Sequence, residues 1–339
     1  MKFTKDNTLN EIVEQARPEF RLFWSESILQ YIPAELRNQP ISSIKTLKTD
    51  WFEAPFPMED ILYDANMMEH WEQIWNEHPL WDTETFTADS NDVHSAALME
   101  YFGEHGQERT GNPLPAVIIC PGGGYTDMSF HMEGTLIAER MMKDGYKTFI
   151  LSYRVNPNLY PAPQLDLAMA IKYVRKHARE FGIDPDNLMV LGFSAGGHLC
   201  ASTAAHREDY EKELKTLRPE MAGIPIRPDK ICLAYPVISF LSEAHEDSFQ
   251  KLTGGDESLR EYLSIEHYVD ENYPSTFVWA NADDSLVPAS NAVRMGEALR
   301  KKGIRHKLNI YPTGEHGCNL GIGTSAEGWM EEMLEFFKN

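Results

Sequence analysis

A serine flanked by glycines is the first group in this sequence that could do chemistry. Residues 191–198 read LGFSAGGH and contain the pattern Gly-x-Ser-x-Gly with Ser194 at its centre. An apolar run typical of a buried strand precedes the pattern, and a helix-like segment follows it. A serine at such a strand–turn–helix junction is typical of a nucleophile, and we expect the backbone N–H of Ala195 to be directed at an oxyanion. The alternative is a Gly/Ser turn that only joins a strand to a helix.

A glycine-rich loop is the second candidate. Residues 120–125 read CPGGGY and directly follow the strand predicted over 116–120. This pattern resembles the HGGG-type oxyanion loop, so Gly123 and Gly124 are expected to supply further N–H donors. Tyr125 on the loop and His131 shortly after it are candidates for the pocket wall, with a surface position as the alternative for His131. A phosphate-binding loop is disfavoured because neither a Walker ending nor GxGxxG spacing is present, and a merely structural turn is the other alternative.

An acid and a base follow two later predicted strands. Residues 281–288 read NADDSLVP, and an acid at the end of a strand is well placed to orient a histidine. We prefer Asp284, with Asp283 as the alternate, since either could instead be an acid favoured by a helix N-terminus. His316 lies on a loop after the last strand, between glycines, which suits a general base. His198, on the helix after the serine, is expected to pack.

These groups need a scaffold, and the pattern of elements predicts one. Short β-rich runs alternate with helix-period stretches from about residue 93, which predicts a mostly parallel, doubly wound sheet with helices on both faces. Ligands bind beyond the carboxyl ends of strands in such sheets, where the candidate segments lie. The predicted strands are 96–102, 116–120, 147–153, 188–193, 230–235, 275–280 and 306–311. The predicted helices are 131–144, 163–182, 196–207, 288–302 and 325–338.

Residues 93–339 resemble an esterase of the α/β-hydrolase superfamily, in the acetyl-xylan-esterase-like branch that is close to the hormone-sensitive-lipase-like enzymes. The resemblance rests on the order Ser194…Asp284…His316 and on CPGGGY, LSYRV, GFSAGGHLC, LAYPVIS, NADDSLVP and EHG. It implies the α/β-hydrolase fold with an eight-stranded type of sheet. It also implies hydrolysis of small acyl esters, often acetyl groups on carbohydrates.

The front of the chain departs from this resemblance. Residues 1–110 carry 21 acidic and 8 basic residues, and residues 49–92 are rich in tryptophan. We expect a helical lead-in over 1–48, an aromatic segment over 49–92 that packs on the main domain, and the catalytic domain over 93–339. A homo-oligomer formed through this N-terminal extension is a further expectation.

Composition excludes several classes of protein. The formal net charge of −21 argues against nucleic acid and against an anionic membrane surface. The start shows no apolar signal segment, and the four cysteines form no CxxC pair, which favours reduced thiols and a cytoplasmic location. There is no HExxH and no tight His/Asp cluster, so we expect neither a metal nor another cofactor.

The expected function is a serine carboxylic-ester hydrolase that acts through an acyl-enzyme. The expected substrate is a small ester, with acetylated carbohydrate or oligosaccharide as the favoured example. A peptidase, amidase or arylformamidase on the same scaffold is the alternative, because a triad does not distinguish esters from amides. A non-catalytic carbohydrate-binding protein is a weaker alternative, since serine, acid, histidine and glycine loop are all intact.

Overall fold

The structure is a computed structural model that describes residues 2–16, 32–48, 53–56, 58–67, 74–81, 96–102 and 111–338. The chain splits into two compact units, Met1–Trp75 and Asn76–Asn339. The second apolar stretch of the helical lead-in, residues 20–29, and large parts of the aromatic segment 49–92 lie outside the described residues. The packing expected for that segment stays a prediction.

In its described residues, the first unit contains two short α-helices, a 3-10 turn and one small sheet. Helix α1 (Leu9–Gln15) begins at Thr8, which forms a capping box with Glu11. Strands β1 (Thr46–Lys48) and β2 (Glu53–Pro55) pair antiparallel, and helix α2 (Met58–Met67) follows them.

The second sheet has eight strands and is almost entirely parallel. In spatial order the strands are β10-β9-β8-β7-β5-β6-β4-β3, and the only antiparallel pair whose register the structure gives within this sheet is β4 with β6. The strands are β3 (Trp75–Pro79), β4 (Ala97–Tyr101), β5 (Leu114–Cys120), β6 (Lys147–Ser152), β7 (Ile183–Phe193), β8 (Lys230–Ala234), β9 (Ser275–Asn281) and β10 (His306–Tyr311). The predicted α/β-hydrolase sheet is therefore confirmed. Strand β3 was not predicted, because its sequence WNEHP contains no β-branched residue and is largely exposed.

Helices connect most of the strands of this sheet. They are α3 (Leu136–Lys143), α4 (Ala162–Lys176), α5 (Ala178–Phe181), α6 (Ser194–Ala205), α7 (Arg207–Leu217), α8 (Glu246–Thr253), α9 (Ser290–Lys301) and α10 (Trp329–Lys338). A π-helical segment, Phe130–Thr135, precedes α3 inside the predicted helix 131–144. Helices α7 and α8 were missed; α7 buries only Tyr210 and Leu214, so its apolar period is too short to detect.

The connections reverse direction at the centre of the sheet, and this creates a crevice. The chain passes from β5 through α3 to β6 on one side, then returns through α4 to β7 on the other side of β5. Right-handed crossovers in opposite directions put α3 and α4 on opposite faces. Arg140 of α3 pairs with Glu331 of α10, so these two helices share a face. The ends of β5 and β7 therefore form a topological switch point, where ligands bind in such sheets.

Candidate active site

Ser194 lies at this switch point, directly after β7, in a strained backbone conformation. Its φ is +50°, which non-glycine residues rarely adopt and which is common at functional sites. The turn is too tight for side chains nearby: a Cβ on Gly192 would lie 2.2 Å from the carbonyl oxygen of Gly196. A Cβ on Gly196 would lie 2.1 Å from the carbonyl oxygen of Cys120. The glycines thus allow helix α6 to begin immediately at the serine and beside the end of β5.

His316 joins Ser194 to a buried carboxylate. Its Nε2 lies 2.9 Å from Ser194 Oγ, and its Nδ1 lies 2.7 Å from Asp284 Oδ2. An ionised carboxylate only accepts hydrogen bonds, so the imidazole donates Nδ1–H to Asp284. The lone pair on Nε2 is then free to accept the serine proton. The structure therefore brings together the three side chains predicted from the sequence, in the geometry that activates a serine.

The two neighbouring aspartates have different partners. Asp284 has a fully buried side chain, and its Oδ1 accepts the N–H groups of Leu286 at 3.0 Å and Val287 at 2.8 Å. Asp283 instead accepts the N–H groups of Gly314 at 3.0 Å and Glu315 at 2.9 Å. Asp284 therefore faces the imidazole, whereas Asp283 holds the backbone of the loop that carries His316.

The glycine loop lies beside Ser194. Gly123 and Gly124 have φ values of +134° and +64°, so the loop needs glycine at both positions. In the described part of the chain neither of their N–H groups has a protein acceptor. Ala195 belongs to the first turn of α6, where N–H groups lack intrahelical partners. Within the part of the chain that the structure describes, these three N–H groups are candidate donors for an oxyanion beside Ser194.

Tyr125, the residue after the three glycines, connects the glycine loop to helix α6. Its side chain is fully buried, and its hydroxyl lies 2.8 Å from His198 Nδ1. His198 Nε2 lies 2.9 Å from the carbonyl oxygen of Leu263, which only accepts, so the proton is on Nε2 and Tyr125 donates to Nδ1. Burial lowers the pKa of His198 to about 4, which keeps the ring neutral. His198 therefore packs and links the loop to α6, as the sequence indicated.

His131 is also buried, within the π-helical segment, where its Nδ1 lies 3.1 Å from the hydroxyl oxygen of Thr135. The alternative of a surface position for His131 is therefore wrong. A contribution of Tyr125 or His131 to a substrate pocket stays a prediction.

Sequence reasoning missed three groups around the site. Glu133 and Tyr235 form a buried hydrogen-bonded pair, with 2.8 Å between Glu133 Oε1 and the tyrosine oxygen. Burial raises the pKa of Glu133. His245 is close to the glycine loop: its Cε1 would lie 4.0 Å from a Cβ on Gly124. Burial first, and then the charge of His316, lower the pKa of His245. Glu133 and His245 belong to no motif singled out in the sequence, and Tyr235 lies within LAYPVIS without a role that the motif itself indicates, so only the folded chain reveals their contacts.

Fold and site together define an α/β-hydrolase with a serine–histidine–aspartate arrangement. The family model BD-FAE matches residues 105–299. The chain belongs to the BD-FAE family. The matched range includes the glycine loop, Ser194 and Asp284, while His316 lies beyond it.

Curated relatives with named activities cover much of this chain. The chain is 37% identical over 220 residues, or 63% of its length, to endo-1,4-beta-xylanase B of Butyrivibrio fibrisolvens. It is 30% identical over 245 residues, or 70% of its length, to an acetylxylan esterase of Xylanibacter ruminicola. It spans only 34% and 46% of the lengths of these two relatives.

Solved structures show the same similarity. An acetyl ester-xyloside bifunctional hydrolase from Caldicellulosiruptor lactoaceticus superimposes with a TM-score of 0.70 at 33% identity, covering 78% of this chain and 95% of that one. The carboxylesterase Cest-2923 from Lactobacillus plantarum gives a TM-score of 0.62 at 26% identity, covering 74% of this chain and 94% of that one. The chain is thus similar over most of its length to proteins that are named as ester hydrolases.

Among the described residues, no helix is both long enough and apolar enough to cross a membrane. In the same part of the chain, no group of three His, Cys, Asp or Glu side chains is arranged to hold a metal ion.

Proposed function

We propose that this protein is a serine esterase that removes short acyl groups, acetyl foremost, from carbohydrate hydroxyls. The observation that carries the proposal is the continuous hydrogen-bonded chain from Ser194 Oγ through His316 to Asp284 Oδ2, with steps of 2.9 and 2.7 Å. Separations of this size put a nucleophile, its base and the group that orients the base within reach of one another.

The acylation step uses these atoms directly. Ser194 Oγ attacks the acyl carbon while His316 Nε2 takes the hydroxyl proton. Asp284 holds the ring orientation and stabilises the imidazolium. The carbonyl oxygen becomes an oxyanion held by N–H groups of Gly123, Gly124 and Ala195, and one such donor contributes about 3 kcal/mol of barrier lowering.

Collapse of this intermediate completes the acyl-enzyme. The bond from carbon to the leaving oxygen breaks, and His316 returns its proton to the departing alcohol. Water then repeats the sequence: His316 takes a proton from water, the hydroxide oxygen bonds to the acyl carbon, and Ser194 leaves with the proton. The products are a carboxylic acid and a sugar hydroxyl.

The carbohydrate assignment is supported by similarity and by charge. The acetylxylan esterase and the acetyl ester-xyloside hydrolase are both named for acetyl esters of sugars. A net charge of −21 disfavours polyanionic substrates, whereas acetylated sugars are neutral. Large apolar side chains are exposed at positions on or close to the catalytic loops, including Leu286 at 52% and Met132 at 38%, and such surface suits the ring faces and acetyl groups of a sugar ester.

The decisive experiment compares Ser194→Ala and His316→Ala with the wild-type protein. The assays use 4-nitrophenyl acetate, acetylated xylo-oligosaccharides, an aminoacyl anilide and an N-formyl arylamine, and a fluorophosphonate probe labels the serine. We expect turnover of both acetyl esters by the wild type, with at least a thousandfold loss in each variant. Ser194→Ala must also abolish labelling. Cleavage of only the anilide or the formyl amide would replace the esterase with an amidase, and no labelling of the wild type would exclude a reactive serine.

A further inference from the structure

A buried carboxylate, that of Glu133, is in direct contact with the glycine loop. Glu133 Oε2 accepts the N–H of Gly122 at 2.8 Å, and the whole residue is 5% exposed. The approach is close enough that a Cβ on Gly122 would lie 2.8 Å from this oxygen and 2.9 Å from Ser194 Cβ. The N–H of Gly122 is thereby turned away from the substrate side. The next two N–H groups, of Gly123 and Gly124, lack a protein acceptor in the described part of the chain.

The second oxygen of the same carboxylate reaches the loop that carries His316. Glu133 Oε1 accepts the hydroxyl hydrogen of Tyr235 at 2.8 Å. The tyrosine oxygen in turn accepts the N–H of Asn319, three residues beyond His316, at 3.2 Å. The Tyr235 ring also contacts the imidazole of His316 edge-on, with 4.9 Å between centroids.

Tyr235 is held in this place against its backbone preference. Its φ is +36°, an unfavourable value for a bulky residue, and its side chain is fully buried. Its own N–H donates to the carbonyl oxygen of Trp279 at 2.7 Å, which keeps the strained residue at the end of β8. Strain of this kind persists where the surrounding structure requires one geometry.

We propose that Glu133 is a positioning residue that sets the oxyanion loop with one carboxylate oxygen and, through Tyr235, the histidine loop with the other. The inference rests on the proposed function, since it concerns how the reacting groups are placed. Glu133 does not touch the substrate. It fixes the distance between the glycine-loop donors and the general base, and 192 residues separate Gly124 from His316 in the sequence.

The chemistry of the two donors explains why a carboxylate occupies this position. Gly122 N–H and Tyr235 O–H both donate to Glu133, and a carboxylate can accept from both at once. Glutamine can accept from Gly122 and donate to the tyrosine oxygen, whose hydroxyl rotates, so it preserves the loop. Methionine has nearly the same length but replaces the carboxylate with a thioether, at most a weak acceptor, and leaves the buried N–H of Gly122 unsatisfied.

The experiment uses Glu133→Met, Glu133→Asp, Glu133→Gln and Tyr235→Phe, with Glu139→Met as the matched control on the exposed side of α3. The measurements are kcat and KM for 4-nitrophenyl acetate, the melting temperature, and the affinity of an alkyl trifluoromethyl ketone. This ketone adds to Ser194 and forms an oxyanion, so its affinity reports the oxyanion donors. Aspartate keeps the charge but is one methylene too short to reach both loops.

We expect Glu133→Met and Glu133→Asp to lose about 100-fold in kcat, since a misplacement of about 1 Å costs that much, with KM nearly unchanged. The affinity of the ketone should fall in parallel. Glu133→Gln should stay within about tenfold of wild type, Tyr235→Phe should lose less ketone affinity than Glu133→Met, and Glu139→Met should match wild type.

Three results would overturn the proposal. A folded Met or Asp variant with wild-type kcat and ketone affinity shows that the carboxylate positions nothing. A second such result is that ketone affinity and activity fall only in proportion to the amount of folded protein, which shows a structural role. The third is that both variants fail to fold, which also shows a structural role. Wild-type protein that neither hydrolyses the ester nor reacts with fluorophosphonate would instead refute the proposed function, so the two failures are distinguishable.

Discussion

Replacing Asp284 with asparagine is the sharpest perturbation of this site, because the structure dictates how the amide must orient. Asp284 Oδ1 accepts two backbone N–H groups, at 3.0 and 2.8 Å, and Oδ2 accepts His316 Nδ1–H at 2.7 Å. An asparagine keeps its oxygen on the two backbone donors, since turning it round would place its NH2 against both. That reversal leaves two buried donors unpaired and costs at least about 2 kcal/mol.

The amide nitrogen of this asparagine then donates to His316 Nδ1, which forces the proton of the imidazole onto Nε2. The ring can no longer accept the proton of Ser194. A wrong tautomer of this kind lowers kcat by roughly 10⁴, which corresponds to about 5 kcal/mol of barrier. The protein should stay folded, since the volume and both backbone hydrogen bonds are preserved.

Asp283→Asn is the matched control, one residue away with the same chemical change. Among the described residues, Asp283 accepts hydrogen bonds only from backbone N–H groups of the histidine loop, and Oδ1 receives the two shorter ones, at 3.0 and 2.9 Å. An amide oxygen can replace Oδ1, so kcat should fall less than tenfold.

The assay is hydrolysis of 4-nitrophenyl acetate at pH 8, with active sites counted by fluorophosphonate labelling and folding checked by circular dichroism. A folded Asp284→Asn variant within tenfold of wild type would refute the reasoning. So would a loss in Asp283→Asn as large as that in Asp284→Asn, because the neighbouring carboxylate would then orient the histidine.

Two further predictions test the scaffold. Gly196→Ala should destabilise the protein by about 3 kcal/mol or more, or prevent folding, because its Cβ would lie 2.1 Å from the Cys120 carbonyl oxygen. Gly111→Ala, whose Cβ would meet no described atom within 4 Å, should change the free energy of unfolding by less than about 1 kcal/mol. Equal melting temperatures of the two variants would contradict this. His206 has a pKa lowered by burial to about 4, so its contribution to stability is complete above pH 6.5 and is lost as the pH falls towards 4. The matched variant is His206→Gln, whose amide can still donate to the Tyr262 carbonyl oxygen. In urea unfolding near pH 5, the free energy of unfolding of this variant should change with pH less steeply than that of the wild type, by up to about 1.4 kcal/mol per pH unit. Identical slopes for the two proteins would show that His206 titrates normally.

The inner strands of the main sheet were predictable because they are buried on both faces. Residues 116–120, for example, are continuously apolar and fully buried, and such a run can be recognised from one sequence alone. The strand His306–Tyr311 was predicted with its observed bounds. Strand β3 and helix α7 were not, because their few buried residues leave no clear period.

The local chemistry of the site was also visible in the sequence. Ser194 and His316 belong to short segments in which neighbouring glycines allow a tight turn and a loop. A pattern of this kind involves only a few adjacent residues and can be recognised in the sequence. The choice between Asp283 and Asp284 was different. Both follow the same strand, and only the direction of each side chain, set by the backbone donors around it, distinguishes the one that faces the imidazole.

The sequence alone determined the fold class, the candidate nucleophile, the candidate base and the order in which they occur, because each depends on patterns that span a few neighbouring residues. The tertiary structure decided which carboxylate meets the histidine and which buried groups hold the two loops together. Glu133, Tyr235 and Asn319 are far apart along the chain, and their hydrogen bonds exist only after the sheet has brought its strand ends to one edge. Contacts of this kind follow from packing, which no local pattern of residues encodes.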